Sequence, residues 1–194
     1  MTAKRTPKRT IKKEKTAWEC KYFSVAEYTV QGRKGDRPYY AVNRRHFNTV
    51  HILALTEKDE VVLVRQFRPP VRKHVIELPA GLCDDINECP VDAARRELLE
   101  ETGFQVEDMA LVFSGTVSPG LTNEVYNLFV GTNAEMVSSG GGVGNEAIEV
   151  FLKPRRRLLE FLVDESLAGD SLVDSKIPTA LMLAEMFLSP EQVR

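Results

Sequence analysis

Residues 81–104 read GLCDDINECPVDAARRELLEETGF, and within them Glu97 follows directly on Arg96, with Glu100 and Glu101 one turn further on. On a helix turning about 100° per residue, these three carboxylates share one side, within an arc of roughly 100°. Carboxylates so placed repel one another and weaken a bare helix. A cation among them removes that cost, and an all-oxygen set suits Mg²⁺ or Mn²⁺. The competing account is a solvated acidic face on which Arg96 bonds Glu100 one turn on. Val91, Ala94 and Leu98 form a separate apolar stripe, suited to lying on a sheet. Pro90 fits the first helical position, and Gly103 the left-handed residue just past the last.

The elements that must position this helix are rich in β-forming residues. Residues 18–30 are aromatic and β-branched and predict a strand. The Gly, Asp and Pro of 31–38 predict a turn, and 39–42 a returning strand, giving an N-terminal hairpin. Strands are expected over 47–55 and 61–67, joined by the polar turn 57–60 and stopped by Arg68-Pro69-Pro70. A short strand over 75–78 breaks at Pro79-Ala80-Gly81. Beyond the helix come strands over 109–117, 125–131 and 148–152, a turn at 118–120 and a flexible Gly-rich loop over 138–145. Helices are expected over 156–162 and 178–188. This order places the chain in the α+β class, with a mixed sheet packed between helices.

Composition bounds the function. The 194 residues suit one ordinary domain with a small appendage, and 43% hydrophobic content is enough for a core. A formal charge of −2 provides no global field for nucleic acid or membrane. The basic residues Lys4, Arg5, Lys8, Arg9, Lys12, Lys13 and Lys15 crowd the start and predict a disordered tail over 1–15, with no apolar run of a signal or anchor behind it. No stretch of about 18 apolar residues predicts a membrane helix. Cys20, Cys83 and Cys89 are odd in number and lack metal-site spacing, so a reducing, cytoplasmic setting is expected.

The 81–104 stretch resembles the Nudix box, G-x5-E-x7-R-E-U-x-E-E-x-G-U, with U a bulky apolar residue. Glu88 precedes Arg96 at the required interval and every later fixed position matches, while the interval from Gly81 to Glu88 carries one extra residue. Arg65-Gln66-Phe67-Arg68-Pro69-Pro70, Glu77-Leu78-Pro79-Ala80-Gly81 and the placement of Pro119 are similar to the branch of that family acting on ADP-ribose and nucleoside diphosphate sugars. The resemblance implies an α/β/α sandwich and a Mg²⁺-dependent pyrophosphatase, with Mn²⁺ as a substitute. It implies that Glu97, Glu100, Glu101 and the Ala80 carbonyl hold metal and that Arg96 steadies the carboxylates. Glu146, on the Gly-rich loop, would act on the water.

For the substrate, the resemblance implies contacts from Arg68, Ser118, Pro119, Gly120, Leu121 and an N-terminal aromatic, with Tyr40 preferred over Trp18 and Tyr39. GDP-mannose, ADP-glucose, a dinucleotide and a non-catalytic ligand sensor stand as alternatives. The expected organisation is a tail (1–15), a hairpin region that dimerises (16–45) and a Nudix domain (46–194), acting as a homodimer without membrane or specific nucleic-acid partners. His46, His51 and His74 match no ligand spacing, and Arg155-Arg156-Arg157 read as a solvated helix start.

Overall fold

Aromatic and β-branched residues near the N-terminus form a meander of three antiparallel strands: β1 (Ile11–Glu19), β2 (Phe23–Gly32) and β3 (Gly35–Arg44). In this computed structural model, which describes residues 10–45, 48–83, 87–142 and 147–188, the meander belongs to the first of two compact units. That unit comprises Met1–Phe47 and Thr116–Val125.

The strand boundaries correct the sequence reading in three places. β1 begins at Ile11, so the end of the expected tail is paired strand: Lys15 faces Glu27, and Lys12 bonds Asp36 at 2.9 Å. Cross-strand charge pairing gives those lysines partners that composition could not show. The single strand expected over 18–30 is two, broken where the Cys20 amide donates to the Phe23 carbonyl at 2.9 Å. The turn expected over 31–38 tightens to Arg33-Lys34, because Gly32 pairs directly with Gly35, whose φ of 121° favours glycine. Within the same unit, the Val42 amide donates to the Leu121 carbonyl at 2.8 Å and Val42 bridges Thr122 in parallel, which sets 121–122 on the free edge of β3.

The second unit comprises Asn48–Gly115 and Tyr126–Arg194. In chain order it contains β4 (Asn48–Ala54), β5 (Glu60–Arg68), β6 (Lys73–Glu77), β7 (Ala80–Leu82) and α1 (Pro90–Thr102). Then follow β8 (Phe104–Gln105), β9 (Asp108–Thr116), β10 (Val125–Thr132), β11 (Glu135–Met136) and β12 (Glu149–Pro154). Last come α2 (Leu158–Ala168), β13 (Ser171–Val173) and α3 (Lys176–Leu188). One sheet has the order β7-β4-β10-β9 and the other β12-β5-β6-β13, with β8 and β11 as a separate pair. β13 runs parallel to β6 while β5 pairs antiparallel with both β6 and β12, so the second sheet is mixed, as expected.

Strand periodicity divides the core into two layers. Ile52, Ala54, Val62 and Phe129 pack with Ala93, Ala94 and Leu98 of α1. Their alternates Leu53, Leu55, Leu63, Leu128 and Val130 pack with Leu158 and Leu162 of α2 and with Ile177, Ala180 and Leu181 of α3. Sheet between helices is the α/β/α sandwich. Arg155 departs from the solvated role expected of it. Its guanidinium bonds both oxygens of Asp59, at 2.5 and 3.2 Å, and pairs with Glu185 of α3. Those carboxylates hold its pKa above the ordinary arginine value, the Asp59 hydrogen bond contributing most.

Candidate active site

Pro90 opens α1 and Gly103 closes it at φ 74°, as their positions in the sequence predict. Ala93, Ala94 and Leu98 are buried against the sheet, which fixes the helix's rotation and turns its glutamates toward β7. The Ala80 amide donates to Glu101 Oε2 at 2.9 Å, and Glu101 is buried. Gly81 abuts Glu97: a Cβ there would fall inside the Glu97 carboxylate. Only glycine permits that approach, which gives the first fixed position of the box a steric reason.

Arg96 binds the acidic face together. Its Nη1 donates to Glu97 Oε1 at 2.9 Å and to Glu100 Oε2 at 3.4 Å, and its Nη2 to the Leu82 carbonyl at 3.0 Å. Nε and Nη2 reach the two oxygens of Glu88 at 3.2 and 3.3 Å. The extra residue before Glu88 therefore does not carry that carboxylate away from its arginine. The i,i+4 pair of the solvated-face account exists, but as one arm of this wider network.

The donor set fits a hard divalent cation. Three carboxylates share one guanidinium, Glu101 adds a fourth, and the Glu97 and Glu88 side chains are only 15% and 19% exposed. Carboxylates gathered in this way favour a cation beside them. Among the described residues no three acidic, histidine or cysteine side chains are gathered closely enough to hold a metal ion by themselves. An open set of carboxylate and backbone oxygens suits Mg²⁺, which keeps waters and takes substrate phosphate oxygens as ligands.

Arg68 is held by Glu77. Its Nε lies 3.1 and 2.9 Å from the two Glu77 oxygens and Nη2 2.8 Å from one of them, yet its side chain stays 43% exposed. Glu77 opens the Glu77-Leu78-Pro79-Ala80-Gly81 run, yet nothing in the sequence distinguishes it as a partner of Arg68. Its signal was a lone acid at the end of an apolar strand. His51 faces Ala80 across the β4–β7 ladder, its ring edge-on to Tyr126 with centroids 5.8 Å apart. Burial, then the positive charge of Lys176, pushes its pKa down to about 3 against the opposing pull of Asp174, so the imidazole is neutral at pH 7.

In the first unit, Ser118, Pro119, Gly120 and Leu121 form a turn closed by the Leu121 amide on the Ser118 carbonyl at 2.8 Å. Tyr39 Oη donates to the Gly120 carbonyl at 2.5 Å. Tyr28, Tyr39, Arg37, Asn43, Pro119 and Leu121 line a cavity of about 400 Å³. The structure thus brings Tyr39, not Tyr40, to this turn; Tyr40 is exposed and its neighbours in β3 take the inner face. Glu146 and His46 lie outside the described residues.

Comparison with known proteins gives the family and the fold. Residues 45–152 match the NUDIX domain family. The chain belongs to the Nudix family. It is a Nudix hydrolase, 32% identical over 145 residues to the methanol dehydrogenase activator of Bacillus methanolicus, an alignment covering 73% of this chain and 74% of that one. It is 35% identical over 153 residues to the GDP-mannose pyrophosphatase of Salmonella typhimurium (strain LT2), covering 73% and 79%. Identity to the ADP-ribose pyrophosphatase of Bacillus subtilis (strain 168) is 29% over 120 residues, covering 60% of this chain and 64% of that enzyme, just under two thirds of its length. The crystal structure of an ADP compounds hydrolase superposes with a TM-score of 0.79 at 23% identity, covering 96% of this hydrolase and 97% of that chain, which establishes the shared fold. Among the described residues no helix is long and apolar enough to cross a membrane.

Proposed function

We propose that this Nudix hydrolase is a divalent-cation-dependent pyrophosphatase that cleaves ADP-ribose or a related nucleoside diphosphate sugar to a nucleoside monophosphate and a sugar phosphate. The observation that carries the proposal is the seating of Glu97 and Glu101 against Ala80-Gly81 with Arg96 as buttress. Water adds to one phosphorus, the bridging P–O bond breaks, and the water's proton passes to a base. Mg²⁺ held by Glu97, Glu100, Glu101 and the Ala80 carbonyl would neutralise charge on the phosphate oxygens and acidify the water. Arg96 keeps the carboxylates oriented before substrate arrives, so no reorganisation is needed during reaction. Arg68, aimed by Glu77, presents a guanidinium suited to bidentate contact with diphosphate. Glu146 is the proposed base. Ser118, Pro119, Gly120, Leu121 and an aromatic of the first unit contact the nucleoside, Tyr39 being the one supported by the turn's hydrogen bond.

A homodimer is part of this reading. In β1–β3 only Ala26 is buried among the described residues, while Ile11, Trp18 and Tyr40 are exposed. A three-stranded sheet with so little of its apolar surface covered fits a surface that a second copy completes. GDP-mannose is the second substrate candidate, supported by the relatives of that name, one of which aligns over more of the chain than the ADP-ribose pyrophosphatase does. Ranking kcat/KM over ADP-ribose, GDP-mannose, ADP-glucose and dinucleotides decides between them. Binding without turnover of any of these would replace the enzyme reading with that of a ligand sensor.

A further inference from the structure

The last turn of α1 combines two adverse features. Glu100 and Glu101 place negative charge at the helix's negative end, with no basic residue in that turn. The final carbonyls also lack intrahelical donors. Left alone, such a turn would fray and take its carboxylates with it.

Backbone amides from residues 137–142 prevent this. Gly141 donates to the Glu101 carbonyl at 2.8 Å and Gly142 to that of Glu100 at 3.1 Å. Val137 and Ser138 both donate to the Gly103 carbonyl, at 2.8 and 3.1 Å. Close approach of the two segments demands glycine. Gly140 has φ 58°, and a Cβ there would overlap the Thr102 carbonyl carbon and lie 2.5 Å from the Gly103 nitrogen. From the other side, a Cβ on Gly103 would strike the Ser138 carbonyl. α2 supplies the contrast: it ends on Gly169 at φ 80°, where a Cβ would meet nothing within 4 Å. The two helices share a cap, but only α1 has a second chain segment laid across it.

We propose that Gly140 is a positioning residue for hydrolysis. It lets residues 137–142 clamp the carboxyl end of α1, and the clamp fixes the turn that carries Glu100 and Glu101 to the register in which they meet cation and diphosphate. The Gly-rich stretch that composition reads as a free hinge is, up to residue 142, an anchor. This inference rests on the reading that Glu97 and Glu101 serve a divalent cation.

The test compares Gly140→Ala with Gly169→Ala in the full chain. Both place a methyl at a left-handed φ and both should lower Tm. Only Gly140→Ala should cut kcat at saturating Mg²⁺, about ten- to a hundredfold with KM changed by less than about twofold, as misplacement of catalytic groups does. It should also raise the Mn²⁺ concentration for half-saturation in a calorimetric titration, and speed hydrogen exchange at the amides of residues 141 and 142. A folded Gly140→Ala variant with parental kcat and Mn²⁺ titration overturns the proposal, as does an equal kcat loss in Gly169→Ala. If Gly140→Ala does not fold, Gly141→Ala takes its place: its Cβ meets nothing within 4 Å, but the methyl strains the φ of 104° at the residue whose amide caps Glu101. Its kcat and Mn²⁺ titration should then shift in the same direction, and parental values overturn the proposal. Glu101→Gln run alongside separates the two ideas. Should it keep activity and Mn²⁺ affinity, the cation reading fails; should it lose both while Gly140→Ala behaves as the parent, only the clamp fails.

Discussion

At the scale of single residues, Glu101 gives the sharpest expectation. Glu101→Gln keeps an oxygen to accept the Ala80 amide but loses the charge, so the fold should survive while hydrolysis is abolished. Thermal melts and phosphate release with and without Mg²⁺ check this; metal-independent turnover or a near-parental rate would contradict it. Arg68→Ala should lower kcat/KM by about ten- to a hundredfold, the value of a charge-assisted bond to phosphate. It should also lower Tm, because Glu77, with a side chain 12% exposed, loses its partner. The Arg68→Ala/Glu77→Gln double variant should regain the Tm and not the kcat/KM. His51 predicts a pH effect. Its pKa is about 3 in the folded chain against an ordinary 6.5. The folded state therefore binds fewer protons than the unfolded chain between those values. The resulting stability is complete above pH 6.5 and is lost as pH falls toward 3, by at most about 1.4 kcal/mol per pH unit. Urea midpoints measured from pH 7 to 4 should fall less steeply for His51→Gln; parallel curves would remove His51 from the account.

At the scale of elements, the spacing between β7 and α1 governs the site. Gly81→Ala must push the Glu97 carboxylate aside, so activity should drop about tenfold or more with little change in Tm. Restored activity at high Mg²⁺ would be consistent with displaced ligands; unchanged activity would show that the approach is not needed. This is also the scale at which legibility in the sequence divides. α1 was readable to its ends because Pro90 and Gly103 are punctuation with a steric cause. The strands of the two core layers were readable because their apolar runs are long. β7, β8, β11 and β13 are two or three residues each, too short to show a period of two. His51 owes its surroundings to strands distant in sequence, and Glu77 meets Arg68 only once β5 and β6 have paired. The clamp on α1 was invisible for another reason: it is made by main-chain amides, which any residue carries, so composition reported only the flexibility of glycine and not what the glycines rest on.

At the scale of the whole molecule, the proposed dimer and nucleoside contacts assign the first unit a part in assembly and substrate affinity. Deleting Met1 to Gln31 removes β1 and nearly all of β2. The shortened chain should elute as a monomer with raised KM, its second unit melting near the parental temperature. Light scattering that finds the intact chain monomeric would contradict the dimer.

The first unit is also assembled from two separate stretches of chain, and this sets a schedule for its synthesis. β1, β2 and β3 are joined by short links and can pair as soon as they leave the ribosome. Arg44 meets Glu124 across 80 residues of sequence, and Val42 meets Leu121 beside it. At about 5–20 residues per second, the nascent meander waits about 4–16 s for the segment that covers it. Throughout that interval the outer edge of β3 is a row of unpaired amides and carbonyls, the kind of edge that recruits strands from neighbouring chains. Pro38 lies in that strand and has no amide to offer. A proline there protects the folding intermediate on a polysome, where many copies of the same exposed edge are held close together.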